Sequence, residues 1–189
     1  MAVLFASCDR HELSLGPAGA AATSTSSANV GNQPPAEPLV DPGKIEGRAA
    51  TLSVRFADSD GLNDLNWGQI LINEDLTGRD ACYVHWEQAS HTIHLQNDNA
   101  NQLLGPRAPG KAGFLENSQC RVDTMNVRVT EAAGSVTLQI PITLKASVGG
   151  SQRVYVRASD RNLHTLEWVN VATWATDLPA AAAADSKAR

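Results

Sequence analysis

One short segment concentrates oxygen-bearing side chains, Asp58-Ser-Asp60-Gly61-Leu-Asn63-Asp64. Calcium takes about six to eight oxygen ligands, which carboxylate and amide side chains supply. We expect a calcium site formed by Asp58, Asp60, Asn63 and Asp64, with Asp160 joining from a second loop. The segment is not an EF-hand, because Gln69 stands where the closing Glu would be. The alternative is an Asx turn, in which these side chains bond their own backbone and Gly61 takes a positive φ.

Asp160 lies in a segment that aligns with the first one. Ala57–Trp67 matches Ala158–Trp168 without gaps, and each reads as a strand end, a polar turn and a strand that opens on tryptophan. Two interpretations are open. The segments are either related loops at one end of a sandwich, or a chance match of Ala, two Leu and Trp.

Three histidines lie on one predicted hairpin. His85 and His94 share its outward face as diagonal neighbours, and His91 is on the other face. Two histidines without a third ligand make a poor zinc site. We therefore expect a solvated strand face here.

The tryptophans offer a second kind of binding surface. Trp86 is predicted to lie in the core, whereas Trp168 and Trp174 share one face of a strand that is either buried or exposed. Exposed tryptophans would form a platform for stacking sugars, and core packing is the alternative.

A long polar loop rich in Gly and Pro is predicted over residues 97–113. Loops of this length in compact domains are often functional. We therefore expect any binding loop to involve Leu103, Leu104, Arg107 and Lys111, with Leu103-Leu104 as its anchor. The alternative is an insertion without a ligand.

The sequence contains none of the common catalytic motifs. It has no Gly-x-Ser-x-Gly elbow, no His-Glu-x-x-His motif and no phosphate-binding glycine loop. The chain has 15 Lys and Arg against 20 Asp and Glu, a formal net charge of −5. This balance argues against a nucleic-acid partner, which normally selects a basic surface. We expect no enzymatic activity.

Apolar residues alternate with polar ones between about residues 50 and 176, and Val136–Leu144 is the clearest case. A period of two predicts strands with one face on a core and one in water. About eight to nine short strands separated by Gly, Asn, Asp and Ser clusters predict an all-β sandwich or barrel. Pro141 interrupts the clearest strand, so we expect that strand at an edge or with a bulge.

Two of the three cysteines, Cys82 and Cys120, lie in strand-like segments, which suggests a disulfide-stabilised domain exported from the cytoplasm. Several segments resemble a module that recurs in secreted and surface proteins of soil-type bacteria: Phe56-Ala-Asp-Ser-Asp-Gly61, Leu71-Ile-Asn73, Ala81-Cys-Tyr-Val84, Leu95-Gln-Asn-Asp98, Leu104-Gly-Pro106 and Leu115-Glu-Asn-Ser-Gln-Cys120. The resemblance implies an antiparallel immunoglobulin-like or fibronectin-III-like β-sandwich over about residues 50–176. It also implies a Cys82–Cys120 bridge and no catalytic residues.

The remaining cysteine, Cys8, closes the apolar run Met1–Ser7. This run is similar to the end of a bacterial lipoprotein signal, in which the cysteine becomes the lipidated first residue, although no basic segment precedes it. The alternative is a disordered tail with an incidental cysteine. We expect residues 1–8 to be a truncated signal, 9–48 a disordered linker, 49–176 the sandwich and 177–189 a flexible tail.

Together these features predict an exported protein in the periplasm or at the cell surface, lipid-anchored through Cys8. The predicted role is adhesion, scaffolding or recognition with a protein or glycan partner and without catalysis. Membrane contact would be through the lipid alone, and calcium is the one cofactor that the residues suggest. A carbohydrate-binding module and a calcium-dependent surface module are the alternatives.

Overall fold

A computed structural model describes residues 31–177, so the predictions for Cys8, the signal segment and the tail beyond residue 177 lie outside the described residues. Within this range no helix has the length and apolar character needed to cross a membrane. The strands are β1 (Leu39–Asp41), β2 (Lys44–Glu46), β3 (Ala49–Ala57), β4 (Leu65–Asn73), β5 (Cys82–Glu87), β6 (Thr92–Gln96), β7 (Leu103–Arg107), β8 (Phe114–Glu116), β9 (Cys120–Asp123), β10 (Arg128–Ala132), β11 (Ser135–Leu144), β12 (Ser151–Asp160) and β13 (Thr165–Ala175), with a 3-10 turn at Thr124–Asn126.

The strands form two sheets. The six-stranded sheet has the order β1-β3-β11-β9-β8, with β10 also paired to β11, and the seven-stranded sheet has the order β2-β13-β12-β4-β5-β6-β7. All pairs are antiparallel except β2 with β13. This order corresponds to the A-B-E-D and G-F-C-C′ sheets of immunoglobulin sandwiches. The predicted all-β, immunoglobulin-like sandwich is confirmed. It has thirteen strands rather than the predicted eight to nine. The additional strands are β1, β2 and β8, which are only three residues long, and β7, which lies in the predicted loop.

The core lies between the inward faces of the two sheets. Leu52, Val54 and Phe56 of β3 are fully buried there, as the alternating pattern predicts. Gly68 of β4 lies against Phe56, and a Cβ at that position would stand 2.5 Å from the ring. The glycine therefore allows β4 to approach the largest side chain of β3.

The domain begins earlier than the predicted boundary at residue 49. β1 pairs with β3, and β2 pairs with β13 and buries Ile45 in the core. The predicted linker, 9–48, is therefore wrong for residues 39–46. A three-residue strand with one apolar residue is too short to show alternation, and its backbone pairing depends on strands that are distant in sequence.

Pro141 is not on an edge strand. β11 pairs with β3 along almost its whole length, and on its other side it pairs with β10 up to Gln139 and with β9 from Ile142. Pro141 lies in the gap between these two partners. A residue without a backbone N–H fits there because no strand among residues 31–177 pairs with it on that side.

A Cys82–Cys120 disulfide joins the two sheets, as the resemblance implied. Cys82 begins β5 of the seven-stranded sheet and Cys120 begins β9 of the six-stranded sheet, and both are buried. In antibody domains the bridge joins the B and F strands, which correspond to β3 and β12 here. This bridge instead joins two more peripheral strands, and it encloses β6, β7 and β8.

We expect the Cys82→Ala/Cys120→Ala double variant to lose about 4 kcal/mol of unfolding free energy in urea denaturation. The bridge spans a sequence separation of 38, and the chain-entropy model gives about that value for such a loop. Cys8→Ala is the control and should leave the urea midpoint unchanged. A double variant as stable as wild type would show that the bridge does not stabilise the fold.

Candidate functional site

The outward face of the seven-stranded sheet carries a row of directly paired polar residues. Arg157 of β12 is opposite Gln69 of β4, Gln69 is opposite His85 of β5, and His85 is opposite His94 of β6. Aromatic residues flank this row. We call the following residues the outer-face cluster: Trp67, Gln69, Tyr83, His85, Arg157 and Trp168.

Arg157 is the centre of the cluster. Its guanidinium carbon lies 4.6 Å from the ring centroid of Trp168 and 5.2 Å from that of Trp67. Cation–π contacts of this kind each stabilise by about 0.5–2 kcal/mol. Arg157 Nε also donates to Gln69 Oε1 at 2.6 Å. A half-buried arginine is therefore held between two half-buried tryptophans.

Two bulges in β13 place Trp168 on this face. Ala172 pairs with Val154 and Asn170 pairs with Tyr155, so Val171 between them is an extra residue of β13. Nearer the start of β13, two residues, Glu167 and Trp168, lie opposite the single residue Arg157. Each inserted residue shifts the alternation of side chains, which is how a bulge re-aims a residue. The prediction that Trp168 and Trp174 share a face is therefore wrong. Trp174 is fully buried in the core.

A small apolar layer supports the outer-face cluster. Leu71, Tyr83 and Tyr155 are buried although they point away from the main core, and Trp168 packs against them. The rings of Tyr83 and Trp168 meet edge to face, with centroids 5.7 Å apart. Side chains held this closely have few alternative rotamers, so the face is ordered before any ligand arrives.

Gln69 determines the tautomer of His85. Its Oε1 accepts from both Tyr83 and Arg157, so its Nε2 is the group that faces His85 Nδ1, at 3.0 Å. Nε2 can only donate, so Nδ1 must accept and the proton of the neutral ring is on the other nitrogen. Burial, with smaller contributions from His94 and Arg157, lowers the pKa of His85 to about 4.

The predicted positions of the other hairpin histidines and of the tryptophans are only partly correct. His85 and His94 are direct partners rather than the predicted diagonal neighbours, with ring centroids 5.8 Å apart. His91 is exposed in the β5–β6 turn, and Trp86 is in the core as predicted. A sugar-stacking surface therefore depends on Trp67 and Trp168 alone.

The predicted calcium ligands divide into two groups. Asp58, Asp60 and Asp64 each offer a carboxylate oxygen, and these oxygens all lie within 4.8 Å of one another. Asn63 is exposed in the same loop. Asp160 is buried and satisfied by other groups, since it accepts from His164 N at 2.8 Å and from Asn32 Nδ2 at 2.6 Å.

The three carboxylates repel one another. Burial is the largest cause that raises the pKa of Asp58, and the charges of Asp64, Asp60 and Asp160 raise it further, against a backbone hydrogen bond from Asp60 that lowers it. The β12–β13 turn lies at the same end of the sandwich, because Arg161 N donates to Asp64 O at 2.8 Å. The two aligned sequence segments are therefore loops at one end of the fold.

The predicted binding loop contains a strand. Both Leu103 and Leu104 pair with β6, but the Leu103 side chain is exposed, so the expected Leu103-Leu104 anchor is wrong for Leu103. Leu104 and Arg107 line an open cleft of about 820 Å³, beside Glu116 and Lys145. Leu103 and Lys111 are not among its lining residues.

Sequence reasoning missed the centre of the outer-face cluster. Arg157 alternates with the buried residues Val154 and Val156, which predicts only that it points outward. Its partners, Trp67 and Trp168, come from neighbouring strands far away in the chain. The aligned tryptophans were the only available signal that the two positions are equivalent.

No protein-family model matches this chain, and no curated protein matches it in sequence.

We expect the unfolding free energy to fall as the pH drops from about 6.5 towards 4. The unfolded histidine takes up a proton near pH 6.5, whereas folded His85 does so only near pH 4, so the unfolded chain binds more protons in this window. In urea denaturation, the His85 contribution to this slope should grow from about 0.2 proton at pH 7 to about 0.9 proton at pH 5.

His85→Gln should reduce that slope, because glutamine accepts from Gln69 without titrating. His91→Asn is the control, since His91 is exposed, and it should retain the slope. A direct NMR titration that places the pKa of His85 near 6.5 would contradict the prediction.

Proposed function

We propose that this chain is an extracytoplasmic recognition module that binds its partner through the outer-face cluster and has no catalytic role. The observation that carries the proposal is the arrangement of Trp67, Arg157 and Trp168, which stack together on an outward face. Tryptophan, tyrosine and arginine are the residues that contribute most to binding energy at protein interfaces.

The two outward faces of the sandwich differ in composition, which favours the seven-stranded sheet as the binding surface. On the six-stranded sheet the outward positions of β3 and β11 carry small polar or charged side chains: Thr51, Ser53, Arg55, Thr137 and Gln139. That sheet has one exposed aromatic side chain at its edge, Phe114 beside Arg121, whereas the opposite face carries both Trp67 and Trp168 around Arg157. The hydrogen bonds of Arg157 and Gln69 hold that face in one conformation, which lowers the entropy lost on binding.

The disulfide supports the proposed compartment. Structural disulfides are typical of oxidising compartments and rare in the cytoplasm, so the Cys82–Cys120 bridge supports export to the periplasm or the cell surface. The tether through a lipid on Cys8 is part of the proposal and lies outside the described residues.

We expect the protein purified from its native envelope to have an intact mass that matches a diacylglyceryl-modified chain starting at Cys8. Reduction should add about two hydrogens, as one bridge requires. The recombinant, unlipidated protein provides the mass reference. An unmodified N-terminus would exclude the lipid tether, and three free thiols would remove the argument for export.

A glycan is the ligand class that the cluster favours. Trp67 and Trp168 offer aromatic surface, and polar groups of Gln69, His85 and His94 lie in the row beside them. A few oriented polar groups among aromatic side chains are typical of small-molecule sites, and sugar rings present both apolar C–H faces and hydroxyl groups.

We expect the intrinsic tryptophan fluorescence of the full chain to change on titration with at least one of three soluble polysaccharides, a neutral β-glucan, a polygalacturonate and a chitin derivative. Trp86 and Trp174 are buried in the core, so the change must come from Trp67 and Trp168. Trp67→Ala/Trp168→Ala should weaken binding at least about tenfold, because we expect a sugar stacked on an aromatic ring to contribute on the scale of a stacked base, roughly 1–3 kcal/mol.

Arg55→Ala/Gln139→Ala on the opposite sheet is the matched control and should bind like wild type. The same variants are then tested for binding of labelled protein to isolated cell envelopes. Envelope binding that depends on Trp67 and Trp168, without any polysaccharide response, would indicate a protein partner. Envelope binding that both double variants retain would overturn the proposed surface.

A further inference from the structure

We propose that Asp58, Asp60 and Asp64 in the β3–β4 loop form a Ca²⁺ site at the end of the sandwich where residues 31–36 join the domain. The site is separate from the outer-face cluster and does not depend on the function proposed for it. Its ligand is a free divalent cation, and the loop supplies the oxygens.

The loop is already folded around the three carboxylates. Asp58 Oδ1 accepts from Asp60 N at 2.8 Å, and Gly61 takes a φ of +112°. This is the Asx turn that the sequence offered as the alternative to calcium, but it uses only one oxygen of Asp58. The turn and the metal site are therefore compatible.

Two carboxylate oxygens in the loop are buried without a hydrogen-bond partner. They are Oδ2 of Asp58 and Oδ2 of Asp64, and the Asp58 side chain belongs to a residue only 4% exposed. Buried polar atoms almost always have a partner in folded proteins. Among residues 31–177 no lysine or arginine forms a salt bridge with Asp58, Asp60 or Asp64. A cation is the partner that these oxygens lack.

Asp160 shows how this fold satisfies a buried carboxylate when no cation is needed. It is fully buried, yet its two oxygens accept from His164 N and Asn32 Nδ2. Its neighbours in the adjacent loop are only partly satisfied. Asp58 Oδ1 accepts from Asp60 N and Asp60 Oδ2 accepts from Gln33 N, but Oδ2 of Asp58 and Oδ2 of Asp64 have no donor. Asp160 therefore adds negative potential beside the site without acting as a ligand.

The chemistry of the donor set favours calcium. All three side chains offer hard oxygen atoms, and calcium accepts irregular geometry with water completing its shell, whereas magnesium requires a near-ideal octahedron. Three carboxylates at a partly exposed loop resemble the weak sites of extracellular modules, with dissociation constants of about 10⁻⁴–10⁻³ M. Such a site would be filled outside the cell.

The test is the thermal midpoint of the full chain with and without 10 mM CaCl₂ at matched ionic strength, together with isothermal titration of CaCl₂. We expect calcium to raise the midpoint by about 3–6 °C, and 10 mM MgCl₂ to have a much smaller effect. Asp58→Asn and Asp64→Asn should each lose the calcium response. Each should also melt higher than wild type without calcium, because one of three like charges is removed.

Asp75→Asn is the matched control, because Asp75 lies beyond the far end of β4 with its side chain 83% exposed. It makes the same chemical change and should keep the full calcium response. If either loop variant fails to fold, the other one and the wild-type titration still decide the question. Absence of a wild-type response up to 10 mM, or a response that Asp58→Asn and Asp64→Asn retain, would overturn the site. An equal response to magnesium would overturn its selectivity.

Discussion

The alternation of side chains along the strands of the seven-stranded sheet is the constraint on which the rest of the structure depends. Successive residues point to opposite faces, so a shift of one residue in register would exchange the core face for the outer face. Ile70 and Ile72 enter the core, whereas Gln69 and Leu71, which alternate with them, point outward. The same register that closes the core thus builds the row from Arg157 to His94.

The bulges in β13 are the exception that completes the outer-face cluster. Strict alternation would put Trp168 on the face that carries Trp174, inside the sandwich. The core already contains the large rings of Phe56, Trp86 and Trp174. By inserting extra residues, β13 keeps Ala172 and Trp174 inside and brings Trp168 beside Arg157. The bulges therefore change which side chains of β13 reach the outer face, while Ala172 and Trp174 stay in the core.

Sequence reasoning succeeded where the signal is local and failed where partners come from distant segments. The alternation in Val136–Leu144 and the composition of the 58–64 loop are each contained in a few residues, so the strand and the acidic cluster could be predicted. β2 could not, because its three residues become a strand only by pairing with β13. Arg157 could not be identified as the centre of a cluster, because its two tryptophans lie on different strands and one of them is positioned by a bulge. The orphan oxygens of Asp58 and Asp64 depend on burial, which composition does not reveal.

The aligned segments Ala57–Trp67 and Ala158–Trp168 share one local structure but differ in the hydrogen bonding of their carboxylates. In both, a strand leads through a polar turn to a strand with an outward tryptophan, and the two tryptophans flank Arg157 from opposite sides. The two turns differ in whether their carboxylate oxygens have hydrogen-bond donors. The second turn satisfies Asp160 with donors from His164 and Asn32, whereas the first gathers three carboxylates and leaves two oxygens without donors. Mutual repulsion makes such a cluster costly unless a cation balances it, and this is the physical basis of the calcium site that we propose at the first turn. Because Trp67 lies only three residues after Asp64, as the third residue of β4, any ordering of the loop would reach the edge of the outer-face cluster directly.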